Sequence, residues 1–230
     1  AATALYLIKS GADVNKIDND GYTSLVHAAQ NGFLDTVIAL TEAGIDIDCK
    51  GYAGDNALMA AVTAQSLPII KYLVSCNVKV NYVANNGWSA LTLAAHSGFS
   101  KIVKYFVTRT GPEASDLNLK DNESKTAVMM AAQAGHLGVV RILIRAGADL
   151  EACTDEEHGA YNALDFALMY KNQECATMLR DAIQGVQPQS EDEPTTGDEA
   201  EEADAGTNSG AFVEVAVGGG NVAVGGAEVG

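Results

Sequence analysis

The sequence predicts an all-α solenoid of helix–turn–helix repeats with short hairpin fingers, followed by a disordered C-terminal tail. Two observations carry that prediction. Residues recur at an interval of 33: Gly21, Gly54 and Gly87; Leu25, Leu58 and Leu91; Ala28, Ala61 and Ala94. A fixed period of this size is the mark of stacked supersecondary units. The chain also changes character near residue 185. Residues 1–185 hold all 14 lysines and arginines and 20 of the 30 acids, whereas residues 186–230 hold no cation and 10 acids.

The elements follow in order. Residues 1–17 form a half repeat, with one helix around Ala4-Leu5-Tyr6-Leu7-Ile8 and a closing loop at Gly11-Ala12-Asp13-Val14-Asn15. A terminal repeat needs a polar outer face, so a repeat or another domain is expected to precede Ala1. About five repeats follow, over 18–50, 51–83, 84–120, 121–153 and 154–184. The fourth arrives after four extra residues (Thr126, Val128, Ala131, Ala132, Gly135, Val140, Leu143) and the fifth after three more (Leu164, Ala167, Leu179).

Within each repeat a turn leads into a short helix such as Ser24-Leu25-Val26-His27-Ala28-Ala29, whose small Ala pair lets a second helix approach closely. Gly32, Gly98 and Gly135 then break the chain, because glycine tolerates the left-handed conformation that ends a helix. The second helix sets Val37 and Leu40 on one face. Gly44-Ile45-Asp46-Ile47-Asp48 closes the unit. Helices of about three turns are not stable alone, so neighbours must stack to bury both faces. Beyond residue 184, the Pro, Glu and Asp-rich run and the Gly/Val/Ala ending are too poor in buriable surface to offset backbone entropy. Residues 185–230 are therefore expected to be disordered. Phe212–Val217 alternates with period two and could pair as a strand. Ser190 and Thr196 precede acids in the manner of acidophilic phosphorylation sites.

These residues resemble the ankyrin-repeat family over about residues 1–183, through the 33-residue period, the G-x-T-x-L-x-x-A-A-x-x-G pattern, and Gly11-Ala12-Asp13-Val14-Asn15 and Gly147-Ala148-Asp149-Leu150. The usual T-P-L-H helix start reads Thr23-Ser24-Leu25-Val26, Asn56-Ala57-Leu58-Met59, Ser89-Ala90-Leu91-Thr92, Thr126-Ala127-Val128-Met129 and Asn162-Ala163-Leu164-Asp165. The family's Pro and His are missing from every copy. The histidine-centred bonds between repeats are expected to be lost and the array to be softer, with Thr still capping its helix where present.

Composition excludes several functions. A net charge of −16 argues against nucleic acid and anionic membranes, which recruit cations. No apolar stretch approaches the roughly 20 residues of a membrane span. Cys49, Cys76, Cys153 and Cys175 form no C-x-x-C pair and lack zinc-ligand spacing, so reduced thiols and a cytoplasmic setting are expected. No phosphate loop, zinc helix or nucleophile elbow occurs. A calcium loop centred on Asp18-Asn19-Asp20-Gly21 would need Lys16 and His27 as ligands, and is dismissed. Asp165 reads as part of a capping repeat's polar face and His136 as structural. No catalytic residue, metal or cofactor is assigned, and a monomeric, non-catalytic protein-interaction scaffold is expected. The alternative is the C-terminal regulatory or targeting region of a larger enzyme, such as a protein kinase.

The resemblance implies that partners bind the concave face, through the two residues before the turn glycine, the residue after it and the pair after Ala-Ala. The residue after the turn is Tyr22, Asp55, Trp88, Lys125 or Tyr161, and three of these five are aromatic in a chain with 6% aromatics. The remaining candidates are Asn19, Asp20, Asn85 and Asn86 before the turn, and Gln30, Asn31, His96 and Gln133 after the Ala pair. Tyr and Trp are common anchors of interfaces, although each ring could instead pack on the next finger. Acids at the finger tips would steer in a partner with a basic segment.

Overall fold

The computed structural model describes residues 2–109 and 114–186. Eleven α-helices run through them. The first helices of the repeats are α2 (Ser24–Gln30), α4 (Ala57–Thr63), α6 (Ala90–His96), α8 (Ala127–Ala134) and α10 (Ala163–Met169). The second helices are α1 (Ala2–Lys9), α3 (Leu34–Glu42), α5 (Leu67–Ser75), α7 (Ser100–Val107), α9 (Leu137–Arg145) and α11 (Gln173–Ile183). First helices stack on first helices throughout, while α1 packs on α3, α3 on α5, α7 on α9 and α9 on α11. The array is thus a two-layered α-solenoid. Among the described residues, extended pairing is confined to isolated bridges, Ile17 with Thr23 and Lys50 with Asn56, at the bases of fingers.

The stacking explains the repeated apolar positions. Leu25, Leu58, Leu91 and Val128 are buried on the first helices, and Val37, Ile70, Val103 and Val140 on the second. One cluster runs from Leu25 to Leu179, with the alanine pairs at the contact between layers. Burying a Leu or Ile is worth about 1.5–3 kcal/mol relative to exposure, so the core is shared along the array and not owned by any one repeat. Helix α1 buries none of its residues.

Five fingers project from the bases of the first helices, each closed by one backbone bond. Asp18, Gly51, Ala84, Asp121 and Thr154 donate their N–H groups to the carbonyls of Tyr22, Asp55, Trp88, Lys125 and Tyr161, at 2.9–3.0 Å. The turn residue has positive φ in all five: Gly21, Gly54 and Gly87, then Ser124 at 59° and Ala160 at 51°. The fourth finger keeps the spacing of the first three without a glycine, whereas the fifth is longer, closing from Thr154 to Tyr161 around a 3-10 turn at Glu156–His158 with Gly159 at φ of 93° before Ala160.

Helix starts depart from expectation in one respect. Asn56 and Asn162 cap their helices through Oδ1, and Ser89 through Oγ. Thr126 makes no side-chain capping bond, its Oγ1 being buried without a partner, and neither does Thr23. The Thr23 hydroxyl lies 2.9 Å from the sulfur of Cys49, on the neighbouring finger. Asp165 is also reassigned. It accepts the Asn162 N–H at 3.0 Å while Asn162 accepts the Asp165 N–H at 3.1 Å, a reciprocal box that uses the carboxylate as a local cap and not as a polar outer face.

Bonds between repeats survive the loss of the family histidine, from other positions. The ring Nε2 of His136 sits 2.9 Å from the His96 carbonyl, and Asn172 donates to the carbonyls of Ala132 and Gln133 at 2.8 and 2.9 Å. The closing loops form a second ladder, in which Asn15, Asp48, Asn81 and Asn118 each accept a backbone N–H from the next repeat. Of the expected tail, only Gly185 and Val186 are described. The disorder prediction, the phosphorylation candidates and Phe212–Val217 lie outside the described residues.

Candidate functional site

The five residues after the turns line up on the finger side of the first helices but are not equivalent in environment. Tyr22 is half-buried. A Cβ added to Gly51 would come within 2.1 Å of the Tyr22 ring, so that ring fills the space the glycine leaves on the next finger. Its hydroxyl donates to Asp55 at 3.4 Å, and burial followed by the Asp55 charge raises the phenol pKa. Both side chains are thereby engaged in joining two fingers. Trp88 lies over His96 with ring centroids 5.0 Å apart. Lys125 pairs with Glu123 at 2.6 Å and reaches over the Phe166 ring at 5.4 Å, leaving its side chain 17% exposed. Tyr161 meets Phe166 edge-on at 6.1 Å and is 39% exposed.

The residues before the turns divide in the same way. Asn19 and Asp20 are exposed at the first finger tip, and the Asp20 carbonyl accepts the Tyr52 N–H. Asn85 is exposed too, but its amide donates to the Tyr52 carbonyl at 2.7 Å, and Asn122 repeats that bond to Asn85 at 2.8 Å. Asn86 accepts the Trp88 N–H within its own turn. Asn85 therefore stitches two fingers and Asn86 shapes its own, because an amide carries the donor and acceptor that turn carbonyls and N–H groups require.

Among the residues after the Ala pair, Gln30 and Asn31 are exposed, and Asn31 donates to the His27 carbonyl. His96 and Gln133 occupy the same position in adjacent repeats. His96 Nδ1 and Gln133 Oε1 are both buried without a hydrogen-bond partner. Burial, then the charges of His136 and Lys125, hold His96 below its ordinary pKa and keep it neutral. An unpaired buried polar atom costs about 1–3 kcal/mol, and two at equivalent positions are rare in a native fold.

Three further side chains are exposed on this face, and two of them, Met169 and Tyr170, stand at the position after the Ala pair that the sequence pattern already marks. Tyr52 is 68% exposed at the tip of the second finger, two residues before Gly54, where the turn rule alone would have found it. Met169 and Tyr170 follow Phe166 within about one turn and are 54% and 52% exposed. Their signal is the pair after the Ala position, where the other repeats carry smaller or polar residues.

Cation and thiol chemistry is weakly provided for. Asp18 spends one oxygen on the N–H groups of Asp20 and Tyr22 and the other on His27 at 2.6 Å. Among the described residues no three His, Cys, Asp or Glu side chains gather as a metal cage. The four cysteines are unpaired thiols, and burial raises the pKa of Cys49 and Cys175, which keeps them protonated. No described helix is long and apolar enough to cross a membrane.

Stacked helix pairs with projecting fingers and an exposed, partly aromatic finger face define a solenoid of the protein-interaction class. The family model for ankyrin repeats (3 copies) matches residues 48–121 and 110–192, and the chain belongs to the ankyrin-repeat family. It is 33% identical over 165 residues to a Danio rerio protein named as a putative palmitoyltransferase, ZDHHC13, covering 67% of this chain and 24% of that one. It is 31% identical over 175 residues to a probable E3 ubiquitin-protein ligase, XBOS33, of Oryza sativa subsp. japonica, covering 58% and 33%. It is 29% identical over 147 residues to the nuclear factor NF-kappa-B p105 subunit of Gallus gallus, covering 62% and 15%. The chain thus spans a third or less of the length of these relatives.

Proposed function

We propose that this array is a non-catalytic, monomeric, cytoplasmic scaffold that holds a protein partner against its finger face. The observation that supports this most directly is the cluster of Tyr161, Met169 and Tyr170, exposed around Phe166, which Tyr161 meets edge-on. Large apolar side chains at the centre of an interface supply most of its binding energy. The finger-tip acids Asp20, Asp55, Glu123, Glu156 and Glu157 lie along both ends of the array and favour a partner with a basic segment along the fingers and an apolar anchor near the last repeat. The test compares the full chain with Tyr161→Ser/Met169→Ser/Tyr170→Ser and with Lys71→Glu/Arg141→Glu on the second helices, all checked for equal melting, in affinity capture read by mass spectrometry. A protein held by the parent and the second-helix variant but lost by the finger-face variant supports the reading. Retention by all three, or by none, refutes it.

A second reading has the array recruiting substrate for an enzyme to which it is joined. It is favoured by relatives named as a putative palmitoyltransferase and a probable E3 ligase, of which the match covers 24% and 33%. Sequencing the full transcript decides it: a catalytic domain in the same reading frame supports the reading, and a frame without one refutes it.

A further inference from the structure

The second helices carry a charge pattern that neither the core nor the finger face uses. Three equivalent positions define one outward line on each of them, and the outer layer can be read along that line from repeat to repeat. On α5, α7 and α9 the line holds Lys71, Lys101, Lys104, Arg141 and Arg145, and these three helices contain no acid at all. Lys71, Lys104 and Arg141 occupy the same position in successive repeats. On the helices at either end the same line turns acidic, with Asp35 and Glu42 on α3, and Glu174 and Asp181 on α11, where Arg180 is the one cation. In a chain of net charge −16, five of the 14 cations are thus collected on three neighbouring helices and bracketed by acids.

Four of these cations are available to a partner. Lys71, Lys101 and Arg145 are exposed and Arg141 is half-buried. Among the described residues, the lysine ion pairs of the closing loops and fingers join Lys79 to Asp48 and Lys125 to Glu123, away from this line. Like charges gathered on one surface repel each other and gain nothing for stability unless an anion faces them.

We propose that this ridge docks an extended acidic segment of a partner protein, its carboxylates about three residues apart. The spacing follows from geometry. Neighbouring helices lie roughly 10 Å apart, and three extended residues span about 10 Å. A flexible segment covers three rungs and stops before the acids at either end. A bilayer or a duplex would run on across Asp35, Glu42, Glu174 and Asp181 and be repelled there. The surface is separate from the finger face, so the array would hold two partners at once.

The experiment titrates the full chain with a labelled peptide of repeated Glu-Gly-Ser units and reads anisotropy. The expected result is saturable binding at low salt that fades at physiological salt, where the Debye length is about 8 Å. Affinity should drop about tenfold in Lys71→Glu/Arg141→Glu, less in Lys71→Gln/Arg141→Gln, and not at all in Lys9→Glu/Lys16→Glu. A Gln-Gly-Ser peptide should not bind. The proposal is overturned by absence of saturable binding, or by equal loss in the Lys9/Lys16 variant, which would mean bulk charge only. It is also overturned if phosphatidylserine vesicles bind more tightly than the peptide and show the same variant losses, which would reassign the ridge to a membrane.

Discussion

Asp48 holds Lys79 at two points: Oδ1 accepts the Lys79 backbone N–H at 3.0 Å, and Oδ2 lies 3.4 Å from Nζ. The equivalent rungs of the same ladder pair asparagine with aspartate, Asn15 with Asp46, Asn81 with Asp116 and Asn118 with Asp149, at 2.8–2.9 Å. Where the acceptor is charged, the next repeat has exchanged its acid for a lysine. Lys79→Asp alone should therefore place two carboxylates together and cost about 0.5–1 kcal/mol, and adding Asp48→Asn should recover most of it. Urea unfolding of the four proteins in a double-mutant cycle measures the coupling. A coupling within error of zero would show that the exchange has no energetic content.

Backbone conformation at the finger tips makes a second prediction. Ala160 has φ of 51° in a position that is glycine in the first three fingers, and its methyl side chain makes no bond that would offset the strain. Ala160→Gly should stabilise the chain by up to about 1 kcal/mol, the left-handed strain relieved exceeding the added unfolded-state entropy. Gly54→Ala should do the reverse and by more. It adds the same strain at φ of 89°, and its Cβ would lie 2.6 Å from the Asn85 backbone nitrogen, which cannot swing away. Thermal melts of the two variants should move in opposite directions.

Two histidines give opposite pH dependences. Burial lowers the His96 pKa from 6.5, so the unfolded chain binds more protons, and stability falls as pH drops through the ordinary histidine range. The hydrogen bond to Asp155 raises the His158 pKa, so its contribution is present below 6.5 and is lost as pH rises through the folded value. Between pH 7 and pH 5, His96→Gln should lose less stability than the parent on acidification, and His158→Gln should lose more. Chemical denaturation at several pH values reads both slopes. Slopes that change in the same direction would remove this assignment.

Most of the fold was legible because a stacked repeat writes its contacts at a fixed interval. The spacing of Leu25, Leu58 and Leu91 by itself implies a shared core. The fourth finger's register survives the loss of glycine at Ser124, since Asp121 still closes the turn onto Lys125, while the residues that lengthen the fifth finger are taken up by a turn at Glu156–His158. The site was less legible. Whether an aromatic ring faces a partner or the next finger depends on the space beside it, and Gly51 supplies that space to Tyr22 from 29 residues away. Hydrogen bonds such as Asn85 to Tyr52 cross between repeats, and no local motif marks them. Thr23 departs from expectation for a related reason: its usual capping role gives way to a sulfur contact that only stacking creates.

The orphaned atoms of His96 and Gln133 lead to the last prediction. Gln133 Oε1 is buried and unpaired on the finger face. Methionine has nearly the same length and no acceptor to desolvate, so Gln133→Met should raise stability by up to about 1 kcal/mol. If the polar atom is retained for a partner that pairs it, the same variant should bind that partner several-fold more weakly, while Gln133→Glu keeps an acceptor and binds better than Met. The two measurements, a urea midpoint and a partner affinity, move in opposite directions only when the polar atom serves recognition. A Gln133→Met variant that gains stability and binds as well as the parent would place recognition elsewhere on the face, nearest to Tyr161, Met169 and Tyr170.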